Sequence, residues 1–298
     1  MGTFLGHFVP GLALITLGLW HTFNTITSFH LKGSSNFIYR FWYPFNHSLL
    51  KLRELELILI LSFSLLAIVL QVFDYPSFHL LFVLHNFEHA TMFLHLALFT
   101  GFALCAELTL MSESVSSLTG ILAASVFCQE LFLLHFHSTD HVGLEGCYHG
   151  LLQLIVTISV LSAIATTIFP GSFPAALVLS ISVVFQGCWF VNMGFMLWVP
   201  KLVPQGCFTQ KYTGSASEMV HGGAVTCVSP EAEFRARALA NLQFSWILAG
   251  ILMFTAFSSL ILTRKRTPGA RQLTVYEQLQ CRTLDSAATI NFKRPLEL

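Results

Sequence analysis

Charged residues are scarce in this sequence. Lys, Arg, Asp and Glu make up 10% of the 298 residues, whereas a soluble domain carries roughly 25%. Hydrophobic residues account for 54%, and the mean hydropathy is +0.69. This composition excludes an ordinary water-soluble domain. The formal net charge is zero, so the chain lacks the basic surplus with which proteins attract nucleic acid, and we expect no nucleic-acid partner.

Zinc-finger spacings are also missing. The 7 cysteines include no CxxC pair. Four of them fall in or beside apolar segments, where a thiol behaves as a small hydrophobic group: Cys105, Cys128, Cys147 and Cys188. Cys207 and Cys227 share a polar loop and could form a disulfide in an oxidising compartment. The sequence leaves that pairing open.

Apolar runs long enough to cross about 30 Å of hydrocarbon recur along the chain. They predict an all-α, polytopic membrane protein, with a seven-helix bundle over residues 1–262. The predicted spans are residues 4–27, 55–73, 78–110, 115–137, 144–169, 173–199 and 238–262. The third run is longer than one bilayer requires, so it is predicted to tilt or protrude. Residues 263–298 form a polar tail that is predicted to be disordered.

Basic residues in the connections predict the orientation. They occur in the first connection (Lys32, Arg40, Lys51, Arg53) and in the tail, and are absent from the four connections between the second and sixth runs. The first connection and the tail should therefore be cytosolic and the N-terminus outside or lumenal. The sixth connection carries basic residues on the outer side, but long loops obey the rule weakly. The sequon at Asn46 should remain unused. The protein is expected in the plasma membrane or an endomembrane.

The tail suggests two further partners besides the lipid bilayer. Arg264-Lys265-Arg266 suits anionic lipid headgroups. The segment Tyr276–Leu279 resembles a tyrosine-based sorting signal that an adaptor would bind, although patterns of four residues often arise by chance. The sequence does not define an oligomeric state.

Histidines and glutamates concentrate in the middle of the chain. Ionisable groups within apolar segments are costly and usually mark a site. Helical spacing places several of them on shared faces: His85, Glu88 and His89 in the third run, Glu130, His137 and His141 in the fourth, and Glu145 with His149 in the fifth. The predicted orientation brings all three groups, and His7, into the outer half of the bundle. His21 lies roughly 21 Å from His7 along an α-helix, so it cannot join them.

Imidazole nitrogens and carboxylate oxygens suit Zn²⁺ or another divalent transition metal. We expect His89, His137 and His149 as ligands and Glu130 as a ligand or general base. The supporting candidates are His7, His85, Glu88, His141 and Glu145. A polar network without metal is the main alternative. Haem is disfavoured by the carboxylates. Histidines interpreted as packing residues are His21, His30, His47, His79, His95 and His221.

Several short motifs resemble those of the transmembrane protein 45 family, a group built on a domain of unknown function. They are Gly6-His7 with Pro10-Gly11 and Gly18-Leu19-Trp20, His89-Ala90-Thr91-Met92, Glu130 with His137, Leu144 to Leu152, and Gln186-Gly187-Cys188-Trp189. The likeness covers most of residues 1–262. It implies a seven-helix membrane protein without an established activity, with His7, His89, Glu130, His137 and His149 at matching positions.

Four functions remain open from the sequence. The first is a membrane protein with an outward-facing metal site for structure, sensing or transport. The second is an intramembrane zinc-dependent hydrolase of lipid-like substrates with Glu130 as the base, although no matching Ser and Asp pattern is found. The third is a haem-binding electron carrier, and the fourth is a non-catalytic membrane scaffold. Whether the chain is an enzyme is therefore undecided.

Overall fold

The computed structural model describes residues 3–45, 53–74, 79–80, 84–109, 114–136, 143–209 and 225–266. Within these ranges, the side chains of residues 74, 79–80, 84–85, 114–116 and 265–266 are not described. Seven helices in the described residues are long and apolar enough to cross a membrane. The predicted all-α, multi-pass membrane architecture is confirmed.

Seven helices follow one another along the described chain. They are α1 (Phe4–Lys32), α2 (Leu55–Val72), α3 (Leu84–Leu108), α4 (Ser114–Phe136), α5 (Gly143–Ile168), α6 (Phe173–Trp198) and α7 (Pro230–Arg266). Two short antiparallel pairs lie in the connections: β1 (Phe73–Asp74) with β2 (His79–Leu80), and β3 (Cys207–Thr209) with β4 (Val225–Cys227). Residues 1–253 form one compact unit.

The first helix runs further than the apolar pattern indicates. Thr3 caps its start by accepting a hydrogen bond from the Gly6 amide at 3.0 Å. The helix continues to Lys32 and stops at Gly33, whose φ of 73° ends the helical geometry. The last turn is polar, so hydropathy alone places the end too early, at residue 27.

The seventh helix begins at Pro230, earlier than the predicted start at residue 238. Proline suits the first turn of a helix because its missing N–H has no partner there. The Ser229 hydroxyl accepts a hydrogen bond from the Ala232 amide at 3.2 Å and caps the turn. Glu233 and Arg237 form an exposed pair at 2.7 Å, one turn apart. The helix therefore starts with a charged segment that hydropathy assigned to the loop.

Helix neighbours follow the order α2, α3, α4, α5, α6, α1. Glycines allow α1 and α6 to approach closely. A Cβ atom at Gly18 would lie 2.6 Å from the Val184 nitrogen, and one at Gly187 would lie 2.5 Å from the Ile15 nitrogen. Real Cβ atoms essentially never come so close. This contact fixes α1 against α6, and it therefore positions the side chains of α1 that face the interior.

The largest core cluster lies between α5 and α6. Tyr148 and Trp189 are fully buried there, with ring centroids 5.3 Å apart. The Tyr148 hydroxyl donates a hydrogen bond to the Gln243 Oε1 atom of α7 at 2.8 Å, and the Asn192 amide donates to the same oxygen at 3.1 Å. These polar contacts join α7 to α5 and α6.

Cys207 and Cys227 form a disulfide that links β3 to β4. This decides the pairing that the sequence left open. Disulfides persist in oxidising compartments, which agrees with the predicted outer location of the α6–α7 connection. The orientation of the termini itself stays a prediction.

Candidate functional site

A buried carboxylate lies at the start of α2. Glu56 exposes 8% of its surface and accepts hydrogen bonds on both oxygens. The Trp20 indole N–H and the Tyr43 amide reach Oε2, each at 2.8 Å, and the His21 Nε2 atom lies 2.7 Å from Oε1. Burying a charge is expensive unless it is paired and hydrogen-bonded. These contacts satisfy that requirement at both oxygens.

His21 connects this carboxylate to a tyrosine. The ring is 9% exposed, and it forms an ion pair with Glu56 when it is protonated. Its second nitrogen, Nδ1, lies 3.5 Å from the Tyr39 hydroxyl. The Tyr43 ring packs edge-on against the imidazole with centroids 5.3 Å apart. Contacts at both ring nitrogens and with the Tyr43 ring therefore fix the orientation of the His21 imidazole.

Hydroxyl groups extend the network to α6. The Tyr43 hydroxyl lies 3.0 Å from the Thr25 Oγ1 atom, which lies 3.5 Å from the Ser180 Oγ atom. Tyr39 also forms a hydrogen bond with Ser180. Both tyrosines come from the connection between α1 and α2, which folds inward at this point. The network therefore ties α1, the connection, α2 and α6 together around His21.

Burial keeps both tyrosine hydroxyls protonated. Desolvation raises the pKa of Tyr43 to about 12, and the Glu56 charge contributes to the rise while the Thr25 hydrogen bond opposes it. Desolvation also raises the pKa of Tyr39 well above its ordinary value, with smaller contributions from Tyr43 and Glu56. At physiological pH both groups are neutral and can donate as well as accept a hydrogen bond.

A partly open cavity of about 80 Å³ adjoins this network. Its polar wall is formed by His21, Tyr39, Glu56 and Ser180. The remaining wall is apolar and comes from the connection, α1, α2, α3, α4 and α6: Leu17, Phe41, Ile60, Leu96, Phe99, Ala123, Val126, Phe127, Leu179 and Val183. One water needs roughly 10–15 Å³ of such a cavity, so the space holds several water-sized groups. It is an apolar cavity with one polar end.

Two residues of the predicted metal site lie close together near the start of α1. His7 and His149 are 8% and 7% exposed, and their ring centroids lie 6.2 Å apart. The Nδ1 atom of His7 donates to the Thr3 carbonyl and that of His149 to the Glu145 carbonyl, each at 3.0 Å. In the neutral rings, the Nε2 atoms therefore carry no hydrogen. Glu145 is buried beside them, with 4% of its surface exposed.

The other predicted ligands do not complete that site. Glu88, His89 and Glu130 are half-buried on α3 and α4. Within the described part of the chain, no three His, Cys, Asp or Glu side chains lie close enough to hold a metal ion. His137 and His141, and the side chain of His85, lie outside the described residues. The predicted metal centre is thus unsupported by the side chains that the structure describes.

One family comparison bears on the chain. The model of a protein family described as "Family of unknown function (DUF716)" matches residues 116–260. That segment belongs to the DUF716 family. The family includes the transmembrane protein 45 proteins, so the resemblance recognised in the sequence is confirmed. The DUF716 segment runs from α4 into α7 and includes Ser180 and His149, whereas His21 and Glu56 precede it.

Sequence reasoning missed the inner site, which is the His21–Glu56 network with its cavity. It interpreted His21 as a packing residue and did not single out Glu56. The available signal was that Glu56 is the only acidic residue within the second apolar run, 55–73. An isolated carboxylate there requires a partner from another helix. Periodicity could not supply that partner, because the sequence does not reveal that α1 and the inward-folded connection reach it.

Proposed function

We propose that this DUF716 membrane protein is an intramembrane binding protein that holds a small hydrogen-bonding ligand in the cavity beside His21. The observation that carries the proposal is the buried His21–Glu56 pair at the wall of a cavity. Ionisable residues inside a membrane protein are expensive and typically mark substrate or ligand sites. The hydroxyl oxygens of Tyr39 and Ser180 offer a ligand hydrogen-bond acceptors.

The arrangement supports binding better than catalysis. The ring nitrogens of His21 face Glu56 and Tyr39, so the hydroxyl nearest to Nδ1 is a phenol. Burial raises the pKa of Tyr39, which disfavours the phenolate that would act as a nucleophile. The zinc-dependent hydrolase with Glu130 as its base gains no support from the described side chains and stays an untested alternative.

Cysteine accessibility tests whether solutes reach the cavity. Ala123 lines the cavity, whereas Ala163 is fully buried in a core cluster with Phe37 and Tyr39. Each would be changed to cysteine in a chain that retains only Cys207 and Cys227, and both variants would be treated with uncharged methyl methanethiosulfonate in lipid nanodiscs. We expect Ala123→Cys to react at least tenfold faster than Ala163→Cys. Equal rates would contradict an accessible binding cavity.

A divalent, zinc-like metal at the His7 end is a second proposal. It is supported by the approach of the His7 and His149 rings to 6.2 Å, since neutral imidazole nitrogen is a common metal ligand. His137, which lies outside the described residues, would supply a third of the three or four ligands that zinc requires. Haem, which needs two facing histidines, is the remaining cofactor proposal.

Elemental analysis and a visible spectrum of the purified protein test this second proposal. We expect about one metal ion per chain in the wild type and a loss of most of it in His7→Ala/His149→Ala. His30→Ala is the control, because His30 is exposed on the same helix. A Soret band would replace the metal with haem. Metal contents that do not differ between the variants would overturn the site.

The two partner sites at the C-terminal end remain proposals. Anionic lipid would bind Arg264-Lys265-Arg266, at the end of α7, where Arg264 is exposed. A sorting adaptor would bind Tyr276–Leu279, which lies outside the described residues. Seven apolar helices support the bilayer itself as the environment.

A further inference from the structure

The charge of the cavity wall restricts what can bind. Glu56 and His21 are the only ionisable groups among its described lining residues apart from Tyr39, and that lining includes no lysine or arginine. The pair carries no net charge when His21 is protonated and one negative charge when it is neutral. The wall is therefore neutral or negative. It offers an anion no net attraction, and it repels an anion when His21 is neutral.

A cationic ligand gains little from the same wall. Both oxygens of Glu56 already accept hydrogen bonds, from Trp20, His21 and Tyr43. Among the lining residues that the structure describes, Glu56 is the only carboxylate. A cation would have to compete with these N–H groups, and its own desolvation would be costly.

Uncharged groups fit the remaining contacts. The Ser180 hydroxyl donates its hydrogen to the Ala176 carbonyl at 2.9 Å, and the Tyr39 hydroxyl lies against His21. Their oxygens can therefore accept a hydrogen bond from a ligand, and an alcohol hydroxyl can donate one. The rest of the wall is apolar, with side chains such as Leu17, Phe99 and Val183. A hydrocarbon stem would gain free energy for each CH₂ group buried if it came from water, but almost nothing if it came from lipid. The polar end must therefore provide the selectivity.

We propose that the ligand is an uncharged amphipathic molecule from the bilayer, with an alcohol hydroxyl at its polar end. This inference rests on the proposed binding function and names its ligand class. The ligand hydroxyl donates a hydrogen bond to the oxygen of Tyr39 or Ser180, and its first few carbons fill the apolar part of the cavity. A longer chain continues outside the cavity. Fatty acids are rejected because an ionised carboxylate has no hydrogen to donate and the wall offers it no net positive charge.

Three matched photoreactive probes test the ligand class. Each carries the same short alkyl chain, with a diazirine next to a hydroxyl, carboxylate or ammonium end. The full chain is irradiated in lipid nanodiscs with each probe, and labelled residues are identified by mass spectrometry. We expect the alcohol to label the residues of the cavity wall at least fivefold more than the other two probes, and excess unlabelled alcohol to compete.

Two pairs of variants locate the labelling. Ala123→Leu adds three carbons at the cavity wall and should abolish labelling there, whereas Ala249→Leu on the exposed face of α7 should leave it unchanged. Ser180→Ala should reduce labelling by the alcohol severalfold. Ser182→Ala is its matched control, because Ser182 is buried on the same helix but bonds to Ser159 and does not line the cavity.

The outcomes separate the two proposals. Stronger labelling of the cavity by the carboxylate or the ammonium probe would overturn the alcohol ligand and leave the binding function standing. Labelling that is equal for all three probes, or unchanged in Ser180→Ala, would also overturn the alcohol ligand. If none of the probes labels the cavity wall, the proposed binding function fails, and the ligand class with it.

Discussion

At the scale of single residues, Glu56 is the residue on which the inner site depends. Its two oxygens accept hydrogen bonds from an indole, an imidazole and a backbone amide that come from α1 and the following connection. No other described contact joins these segments through one side chain in this way. The identity of residue 56 should therefore affect the stability of the bundle as well as binding.

Replacement of Glu56 by glutamine should destabilise the folded protein. The amide offers one acceptor oxygen where the carboxylate offers two, so at least one of the three donors loses its partner at a cost of about 1–3 kcal/mol. The matched control is Glu54→Gln, since Glu54 precedes the helix and is half-buried. Thermal and denaturant unfolding in detergent would measure the difference. Equal stability of the two variants would contradict a structural role for the carboxylate.

The raised pKa of Tyr43 predicts a loss of stability in alkali. The folded-state pKa is about 12, above the ordinary value of about 10, so the folded protein binds this proton more tightly than the unfolded chain does. The stabilisation of the folded state by this proton is fully present below about pH 10 and is lost as the pH rises towards 12. Melting temperatures in detergent between pH 9 and 12 should fall less steeply for Tyr43→Phe than for the wild type. Identical slopes would argue against a buried hydroxyl.

At the scale of elements, the crossing of α1 and α6 positions the site. Gly11, Gly18 and Gly187 bring the two helices close enough for backbone contact. Trp20 and His21 follow within one turn of Gly18, and Ser180 precedes Val184 by one turn. Any separation of the helices would therefore move the polar wall of the cavity as well.

Gly18→Ala should separate α1 from α6. The new Cβ atom would lie 2.6 Å from the Val184 nitrogen, and overpacking of this kind typically costs about 1–3 kcal/mol. Gly150→Ala is the control, because nothing lies within 4 Å of its Cβ position, and alanine is a better helix former. We expect a lower melting temperature for the first variant and an unchanged or higher one for the second. A stable Gly18→Ala protein would show that the helices pack less closely.

At the scale of the whole molecule, the two ends of the bundle carry different chemistry. The His7–His149 pair lies near the start of α1, and the His21–Glu56 network lies about four turns further along the helix. The disulfide between Cys207 and Cys227 is in the α6–α7 connection. The side of the membrane that each end faces depends on the orientation, which the basic residues predict.

Glycosylation mapping tests the orientation. Asn46-His47-Ser48 should remain unmodified on the cytosolic side, whereas Thr213→Asn would create a sequon with Ser215 in the α6–α7 connection and should be modified. Mass shifts removed by a glycosidase would report each case in mammalian cells. A glycan on Asn46, with none in the Thr213→Asn variant, would reverse the predicted topology.

The sequence by itself determined the membrane class, the seven helices and the burial of several histidines. Long apolar runs are sufficient for this, because a bilayer requires helices of a defined length and internal hydrogen bonding. Helical spacing and the charge pattern placed His7 and His149 in the same half of the bundle, and their ring centroids lie 6.2 Å apart. The ends of α1 and α7 were misplaced because polar helical turns carry no hydropathy signal.

The tertiary structure alone decided the inner site. His21 and Glu56 are 35 residues apart, and nothing periodic relates them. Their meeting depends on the glycine contact that sets α1 against α6 and on a connection that folds inward to place Tyr39 and Tyr43. A carboxylate in an apolar helix requires polar or charged partners, and the sequence alone indicates this requirement. Only the packing of the helices determines which side chains those partners are.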